Sequence, residues 1–394
     1  MKKVLFFISA LCMFACSQDA NIDLTAPMMN ESHEVSNGHE IDAAKALEYA
    51  NIYFNQTETR SSAPLKMDYI VDKTLTRSGD MADDTIAYII NRGVNEGFVV
   101  ISSDDRVYPI LAHSDNGTFV HEEGSIVDVE FVSRISNYIA QNEEENSKVV
   151  TEDELDGCYS GTPVLGSSWG QRSPFDAYVI MEYPGCPVGC VAVATGQIMA
   201  NCKPTLNYHG VNFNFKKMLA GIANGTSSTN ETNPETRIVN GEVIDTTVVP
   251  FPYDVAVDYA AQLMYWVGND VGMNYTPSSS GAQSYKALEL LHNKGYHVRN
   301  NLTTYNLHDI ISFLEYNHLI YMRGSNRITG GGHAWVADAA RYCYNHFTND
   351  TTIAEIHCDW GWYGNCNGYF SGEVFAAAGN RQYHNMEYSA VIIE

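Results

Sequence analysis

Apolar residues in the first block of the chain recur at helical and strand spacings that predict a compact α+β unit. The segment IDAAKALEYANIYFN predicts a helix whose apolar stripe carries Ala43, Leu47, Ala50 and Phe54. Three strands are predicted after it, from the runs TIAYIINR, GFVVISSD and VYPILAHSD. The run FVSRISNYIAQNEEENSK then predicts a second helix with a charged, exposed end, so the block ends near Lys148. The acidic segment TEDELDG behind it predicts an exposed linker, where cleavage is expected.

The second block, from residue 158 to residue 394, is richer in Gly, Tyr and Trp. Its apolar pattern predicts helices at 190–200, 255–267 and 283–294. Strands are predicted at 319–323, 333–337 and 354–358. The polar stretch 224–246 predicts a surface loop or an insertion.

The amino terminus has the pattern of an export signal. MKK is positively charged and VLFFISALCMF is apolar, which is typical of a signal peptide and too short for a membrane span. Ala15 stands directly before Cys16 at the end of this run, as in a bacterial lipoprotein cleavage box. Lipidation of Cys16 would anchor the protein to a membrane of the cell envelope. Phe14 fits that box poorly, so plain secretion stays open.

The net charge of the chain argues against one class of partner, the nucleic acids. The chain has 394 residues, enough for two or three domains, and a formal net charge of -24. Such a charge repels phosphate backbones, so we expect no nucleic-acid partner.

Export changes how the cysteines are interpreted, because oxidising compartments permit disulfides. Behind the signal peptide lie seven cysteines, an odd number that leaves at least one thiol unpaired in the chain: Cys158, Cys186, Cys190, Cys202, Cys343, Cys358 and Cys366. A zinc site made of Cys186, Cys190, Cys202 and His209 is a weak alternative. Its spacing is loose, and an exported protein favours disulfides over zinc thiolates.

Cys190 opens the apolar helix predicted from GCVAVATGQIM. A cysteine in the first turn of a helix lies near unpaired backbone N–H groups and the positive end of the helix dipole. Both favour the thiolate, which is the nucleophilic form. Taken alone, this residue could equally be a structural cysteine in a core helix.

His333 is the candidate base for such a thiolate. It follows three glycines in ITGGGHAWVADAA and begins a predicted strand, where a sheet holds the imidazole at the mouth of a loop. By alternation, His333, Trp335 and Ala337 share one face of that strand.

Two further stretches supply candidates for the remaining roles. In DWGWYG, Asp359 could accept from the imidazole and fix its tautomer, and Trp360 could shield that bond from water. In SSWGQRSPFDAY, the Gln171 amide and the backbone N–H of Cys190 could form an oxyanion hole.

Together these motifs resemble the streptopain family of bacterial cysteine peptidases, which are relatives of papain. The matching pieces keep the family's order: WGQRSPFDAY, GCVAVATGQIMA, SSSGAQ, GGGHAWVADAA and DWGWYG. GFVVISSDDRVYPILAHSDNGTF resembles the family's inhibitory prosegment. The resemblance implies a papain-like α+β fold with two lobes, preceded by an α+β inhibitory prodomain.

The resemblance also implies residue roles. Cys190 matches the nucleophile, His333 the general base and acid, and Gln171 the oxyanion glutamine. Trp360 matches the tryptophan beside the histidine. Ser280 and Gly332 fall near positions that line the substrate cleft.

The chain departs from the family in two ways. The residue before Trp360 is usually Asn and is Asp359 here, which leaves its role as orienter open. The second departure is the extra cysteines. Of these, Cys186 is interpreted as a disulfide partner of Cys202 or of another neighbour.

These observations predict an exported cysteine endopeptidase made as a zymogen. The expected organisation is a signal peptide at 1–16, a tether and inhibitory prosegment at 17–155 and a catalytic domain at 156–394. The expected partners are protein or peptide substrates, the chain's own prosegment and a separate activating protease, with no cofactor and no metal. The alternative is a catalytically silent surface-binding protein on the same scaffold.

Overall fold

A computed structural model describes most of the chain from residue 40 onward. The described residues are 40–56, 63–75, 81–120, 132–133, 135–136, 139–140, 157–165, 168–226, 238–239, 242–243, 250–299, 301–325, 331–344, 351–371, 376–377, 381–382 and 384–392. The predicted export signal with Cys16, the linker up to 156 and most of the predicted loop 224–246 lie outside them.

Helices follow the apolar stripes of the sequence. Within the described residues they are α1 (Ala43–Gln56), α2 (Ala177–Glu182), α3 (Cys190–Cys202), α4 (Phe215–Thr226), α5 (Tyr253–Asp270), α6 (Ser284–Asn293) and α7 (Leu307–Leu314). Asp42 begins α1 by accepting from the Lys45 backbone N–H at 2.8 Å, the usual N-cap contact. No helix among the residues described is both long and apolar enough to cross a bilayer.

Strands fill the rest of the chain. They are β1 (Leu65–Leu75), β2 (Met81–Arg92), β3 (Phe98–Ser102), β4 (Ile110–Ser114), β5 (Gly157–Ser160), β6 (Thr205–Tyr208), β7 (Val211–Asn214), β8 (Ile238–Val239), β9 (Glu242–Val243), β10 (Asn274–Tyr275), β11 (Ser280–Gly281), β12 (His297–Val298), β13 (Thr303–Thr304), β14 (Leu319–Ser325), β15 (Gly332–Tyr344), β16 (Thr351–Asp359), β17 (Gly368–Ser371), β18 (Ala376–Ala377), β19 (Arg381–Gln382) and β20 (His384–Ile392). The predicted strands of both blocks are confirmed, and that at 333–337 extends to Tyr344.

One antiparallel sheet runs through both blocks. Its order is β1-β2-β3-β4-β17-β16-β15-β14-β20-β12, with β5 beside β15 and β13 beside β20. The blocks meet where β4 pairs with β17, with Ala112 opposite Phe370 and His113 opposite Tyr369. A Cβ at Gly368 would collide with the His113 carbonyl oxygen, so this approach requires a glycine.

The central strands separate two cores because side chains alternate across a sheet. Ala334 and Val336 of β15 face a core built around α3. Trp335 and Ala337 face a second core on the opposite side. The second core also contains Val100 and other residues of the first block, so the two blocks bury apolar surface together.

α3 lies at the centre of the first core. Every side chain from Val191 to Ala200 is buried, because α4, α5, α6 and β15 cover the helix. A helix that is apolar on all sides is expected to be buried in this way.

Candidate active site

Gly189 sets the turn that places Cys190 at the first position of α3. Its φ is 91°, a conformation that residues with a Cβ rarely adopt. A Cβ there would lie 2.8 Å from the Met273 sulfur and 3.0 Å from the Ser280 carbonyl oxygen. The glycine is therefore required both for the turn and for the close packing of β11 against it.

Cys190 is half-buried, and burial raises the pKa of its thiol above the ordinary value. Three backbone N–H groups oppose this and lower the pKa, those of Ala334, Val191 and Cys190 itself. The helix start acts in the expected direction, but desolvation outweighs it.

The N–H group of Ala334 also indicates where the start of β15 lies relative to Cys190. This N–H lowers the pKa of the Cys190 thiol. The residue directly after His333 on β15 therefore lies close to the start of α3. Cys190 and His333, predicted from separate motifs, are thus brought to the same place.

The His333 imidazole is 7% exposed and held by a backbone carbonyl. Its Nε2 lies 2.9 Å from the Trp360 carbonyl oxygen, and its ring is 4.8 Å from that of Trp362. A carbonyl only accepts, so Nε2 carries the proton of the neutral ring and Nδ1 keeps the basic lone pair. The tautomer is therefore set for Nδ1 to accept a proton.

Trp360 is anchored at both its side chain and its backbone. The indole N–H donates to the Cys366 carbonyl at 3.1 Å, and the Trp360 backbone N–H donates to Asn367 Oδ1 at 3.0 Å. The ring is fully buried. The carbonyl that orients His333 is thereby fixed by the residues that follow it.

Asp359 is the predicted orienter of His333, but the hydrogen bond of its carboxyl is to a backbone N–H group. Its Oδ1 accepts from the Gly361 backbone N–H at 2.9 Å, while the His333 Nε2 meets the carbonyl of the next residue, Trp360. Burial raises the pKa of the Asp359 carboxyl to about 6, against the smaller lowering effects of the Gly361 N–H and the Gln197 amide. Gln197 faces the carboxyl without reaching the geometry of a direct hydrogen bond.

The buried Asp359 carboxyl is expected to make the free energy of unfolding depend on pH. Because its folded pKa is raised from 3.8 to about 6, folding favours the protonated form, and stability falls as pH rises through this range. Asp359→Asn keeps an acceptor for the Gly361 N–H and removes the charge. We expect it to raise the free energy of unfolding at pH 8 by up to ~3 kcal/mol, with little change at pH 4.

Urea unfolding of both proteins at the two pH values measures this difference. Glu289→Gln, which removes the same charge from an exposed position on α6, is the control and should change little. An Asp359→Asn protein that is no more stable than the parent at pH 8 would contradict the assignment.

Gln171 lies beside the turn that leads into α3. Its backbone carbonyl accepts from the Val188 N–H at 2.8 Å, two residues before Cys190. Gln171 itself is half-buried. The loop that carries the predicted oxyanion amide therefore runs alongside the predicted nucleophile.

The two predicted cleft residues flank these groups. Ser280 is 6% exposed and its carbonyl packs against Gly189. Gly332 is exposed and directly precedes His333 on β15. Their placement beside the nucleophile and the base agrees with the cleft interpretation, which remains a prediction.

The predicted disulfide of Cys186, with Cys202 or with another neighbour, is wrong. Both are free thiols, as are Cys190, Cys358 and Cys366. Cys186 precedes α3 and Cys202 is its last residue. Cys343 is disulfide-bonded, and Cys158 is its Cα partner in the pairing of β15 with β5.

The zinc alternative gains no support from the described residues. None of them form a group of three or more His, Cys, Asp or Glu able to hold a metal ion. His209, one of the suggested ligands, contacts Asp270 at 3.0 Å and stacks on Trp266 instead.

The first block contacts the loop that anchors Trp360. Asn116 Oδ1 accepts from the Cys366 backbone N–H at 2.9 Å, and the Ser114 hydroxyl donates to the Asn367 carbonyl. A Cβ at Gly117 would lie 2.5 Å from the Cys366 sulfur. The residues that hold the Trp360 carbonyl are therefore themselves held by the first block.

Tyr363 and Arg172 were not predicted to belong to the site, although Tyr363 lies in the motif DWGWYG and Arg172 in WGQRSPFDAY. Tyr363 donates its backbone N–H to the Trp169 carbonyl at 2.8 Å, and its hydroxyl accepts from the Arg172 N–H at 2.7 Å. Their motifs marked the region, but nothing in the sequence pattern indicated that the two meet.

A cysteine at a helix start, a histidine on the adjoining strand and an N-terminal block on the same sheet together make up the candidate site and its surroundings. The chain belongs to the Peptidase C10 family, which matches residues 169–370. Residues 38–151 match the family described as Spi protease inhibitor. The predicted streptopain resemblance and its N-terminal inhibitor-like segment are confirmed.

Individual relatives are also similar to this chain. The chain is 28% identical to streptopain of Streptococcus pyogenes over 356 residues, covering 79% of this chain and 78% of the relative. Streptopain of the Streptococcus pyogenes serotype M1 gives the same identity and coverage. A solved mutant fragment of Prevotella intermedia prointerpain A covers 83% of this chain and 98% of its own, with 18% identity and a TM-score of 0.44.

Proposed function

We propose that this chain is an exported cysteine endopeptidase made as a zymogen. The observation that carries the proposal is the meeting of β15 with the start of α3. The Ala334 N–H acts on the Cys190 sulfur, and the Trp360 carbonyl holds Nε2 of the adjacent His333. This geometry supports a nucleophile beside a base whose free lone pair is on Nδ1.

The first chemical step is transfer of the Cys190 proton to Nδ1 of His333. The thiolate attacks the carbonyl carbon of the scissile peptide, a C–S bond forms, and the carbonyl π electrons move to oxygen. The Cys190 backbone N–H and the Gln171 amide would stabilise that oxyanion. The Trp360 carbonyl stabilises the imidazolium because it accepts from Nε2–H.

The second step releases the amine. His333 returns the proton to the leaving nitrogen, the C–N bond breaks, and an acyl-enzyme remains on Cys190. His333 then takes a proton from water, which attacks the thioester and frees the carboxylic acid product and the thiol. Protein or peptide substrates are therefore the proposed partners, and the steps need no metal.

The first block is the proposed inhibitory prosegment. It shares the sheet and a core with the catalytic block and contacts Cys366 and Asn367, which anchor Trp360. Its removal would free this loop. Cleavage in the acidic linker by a separate protease is the proposed activating step. Export through residues 1–16, with lipidation at Cys16, is proposed on sequence pattern alone.

Thiol labelling with iodoacetamide, combined with casein cleavage, tests the function. At mildly acidic pH, we expect slow labelling of Cys190 in the full chain, where burial raises its thiol pKa, and fast labelling after processing. Casein should be cleaved only by the processed form. A processed protein with a slowly reacting thiol and no cleavage would instead indicate the silent binding protein.

Gln171→Ala is expected to lower kcat for peptide hydrolysis by about 10²-fold to 10³-fold, with little change in KM. The lost amide stabilises negative charge that exists only in the transition state. Steady-state kinetics on a fluorogenic peptide measure both constants. Gln262→Ala removes the same amide from a half-buried position on α5 and should leave kcat unchanged. Equal kcat for Gln171→Ala and the parent would remove Gln171 from the proposed oxyanion hole.

A further inference from the structure

We propose that Tyr363 and Arg172 form a clamp that positions Gln171, so that both act as positioning residues for oxyanion stabilisation. This inference rests on the proposed function and extends it to residues to which neither the motifs nor the family comparison assigns a role. The clamp is made by the turn that follows Trp360 and by the loop that carries Gln171.

Tyr363 contacts that loop on both sides of Gln171. On one side its backbone N–H donates to the Trp169 carbonyl at 2.8 Å. On the other its hydroxyl accepts from the Arg172 N–H at 2.7 Å and donates to the Ser173 carbonyl at 3.2 Å. Three hydrogen bonds from one residue therefore bracket Gln171.

The Tyr363 ring also covers the residue before Gln171. A Cβ added at Gly170 would collide with the ring carbon Cζ, so the ring packs directly on the glycine backbone. Only glycine permits this approach. The loop is thereby held by packing as well as by hydrogen bonds.

The backbone of Tyr363 indicates that its side chain is needed. Its φ is 61°, between Gly361 at 69° and Gly364 at 75°. Bulky residues rarely adopt this left-handed region, where glycine is favoured. A tyrosine at this position is disfavoured locally, so its contacts with the loop must offset the strain.

Arg172 extends the clamp to two further segments near the start of α3. Its Nη1 donates to the Gly185 carbonyl at 2.6 Å and its Nη2 to the Pro277 carbonyl at 2.9 Å. Gly185 precedes the turn into α3, and Pro277 precedes Ser280. One guanidinium thus fixes the Gln171 loop relative to the segments beside the nucleophile and the predicted cleft serine.

The same turn also positions the general base, His333. Trp360, whose carbonyl orients His333, stands three residues before Tyr363. A Cβ at Gly361 would lie 2.8 Å from Val193 Cγ1 of α3, so the turn is seated on the nucleophile's helix. One turn therefore fixes the imidazole and the oxyanion loop relative to each other.

Tyr363→Phe tests the clamp, because it keeps the ring on Gly170 and removes the hydroxyl. In the processed protein we expect kcat for peptide hydrolysis to fall about tenfold, with KM unchanged, the usual scale for losing the hydrogen bonds of one side chain. The affinity for a peptide aldehyde should fall by a similar factor. Its adduct forms a C–S bond to Cys190 and places the former carbonyl oxygen in the oxyanion hole. The rate of Cys190 alkylation by iodoacetamide, which creates no oxyanion, should not change.

The Gln171→Ala background shows whether Tyr363 acts through Gln171. Adding Tyr363→Phe to Gln171→Ala should lower kcat no further, because the positioned group is already gone. Tyr316→Phe, at a tyrosine that is 73% exposed, is the matched control and should leave kcat unchanged. Urea unfolding of each variant reports any loss of folded protein.

The possible results separate the two proposals. If the parent cleaves peptides only with Cys190 present and Tyr363→Phe has full kcat, the clamp is wrong and the function stands. An equal fall in hydrolysis and alkylation, or full additivity with Gln171→Ala, would also overturn the clamp. A processed parent without Cys190-dependent hydrolysis would overturn the function itself.

Discussion

Cys190→Ser is expected to abolish peptide hydrolysis, with a fall in kcat of at least about 10⁴-fold. A serine hydroxyl is far less acidic than a thiol, so His333 deprotonates it much less readily. The Ser side chain can still accept from the Ala334 N–H, which acts on the sulfur in the parent, so the fold should persist. Hydrolysis of a fluorogenic peptide by matched, processed samples measures the loss.

Cys202→Ser is the matched control for this substitution. Cys202 is a half-buried thiol at the other end of α3, and burial raises its thiol pKa to about 12. It should therefore be inert as a nucleophile, and its replacement should leave hydrolysis intact. Retained activity in Cys190→Ser, or loss confined to Cys202→Ser, would contradict the assignment of the nucleophile.

His333→Asn should lower kcat by about 10²-fold to 10⁴-fold, the range for a lost general acid and base. An Asn amide can still donate to the Trp360 carbonyl, but it cannot accept the thiol proton or deliver it to the leaving amine. The same variant should also slow the alkylation of Cys190 near neutral pH, because the base that stabilises the thiolate is gone.

The control for this variant is His209→Asn, at an exposed histidine that contacts Asp270. Asn tolerates the positive φ of 49° found there, so the fold should be preserved. Normal kcat is expected for His209→Asn. A His333→Asn protein with kcat near that of the parent would show that another group moves the proton.

The reactive groups could be predicted from the sequence because each lies at the end of a regular element. Cys190 begins an apolar helix, and His333 begins a strand behind three glycines. Alternation along β15 correctly placed Trp335 and Ala337 on one face. Local periodicity carries this information, since it depends only on neighbouring residues.

Contacts between distant segments could not be predicted in the same way. The Trp360 carbonyl on His333 is a backbone group, which leaves no mark on the sequence. The position of Tyr363 on the Gln171 loop depends on a left-handed turn that a tyrosine does not signal. The net shift of the Cys190 thiol pKa depends on burial by the whole domain, whereas the sequence showed only the helix start.

The pairing of β4 with β17 was equally hidden. Both strands were short, and nothing local indicated that one sheet joins the two blocks through Ala112 and Phe370. Through this pairing the predicted prosegment lies next to the residues that follow Trp360. It brings Asn116 to Cys366, which anchors the Trp360 indole.

The most direct test of this account follows mass and casein cleavage together. The chain from Asn21 onward would be incubated under reducing conditions with a trace of a separate protease, beside its Cys190→Ser variant. We predict that activity appears only as an N-terminal fragment of ~15 kDa, the size of an ordinary domain, is lost, and only when Cys190 is present. Activity in the uncut chain, activity in the cut Cys190→Ser variant, or a cut parent that cleaves nothing would contradict it.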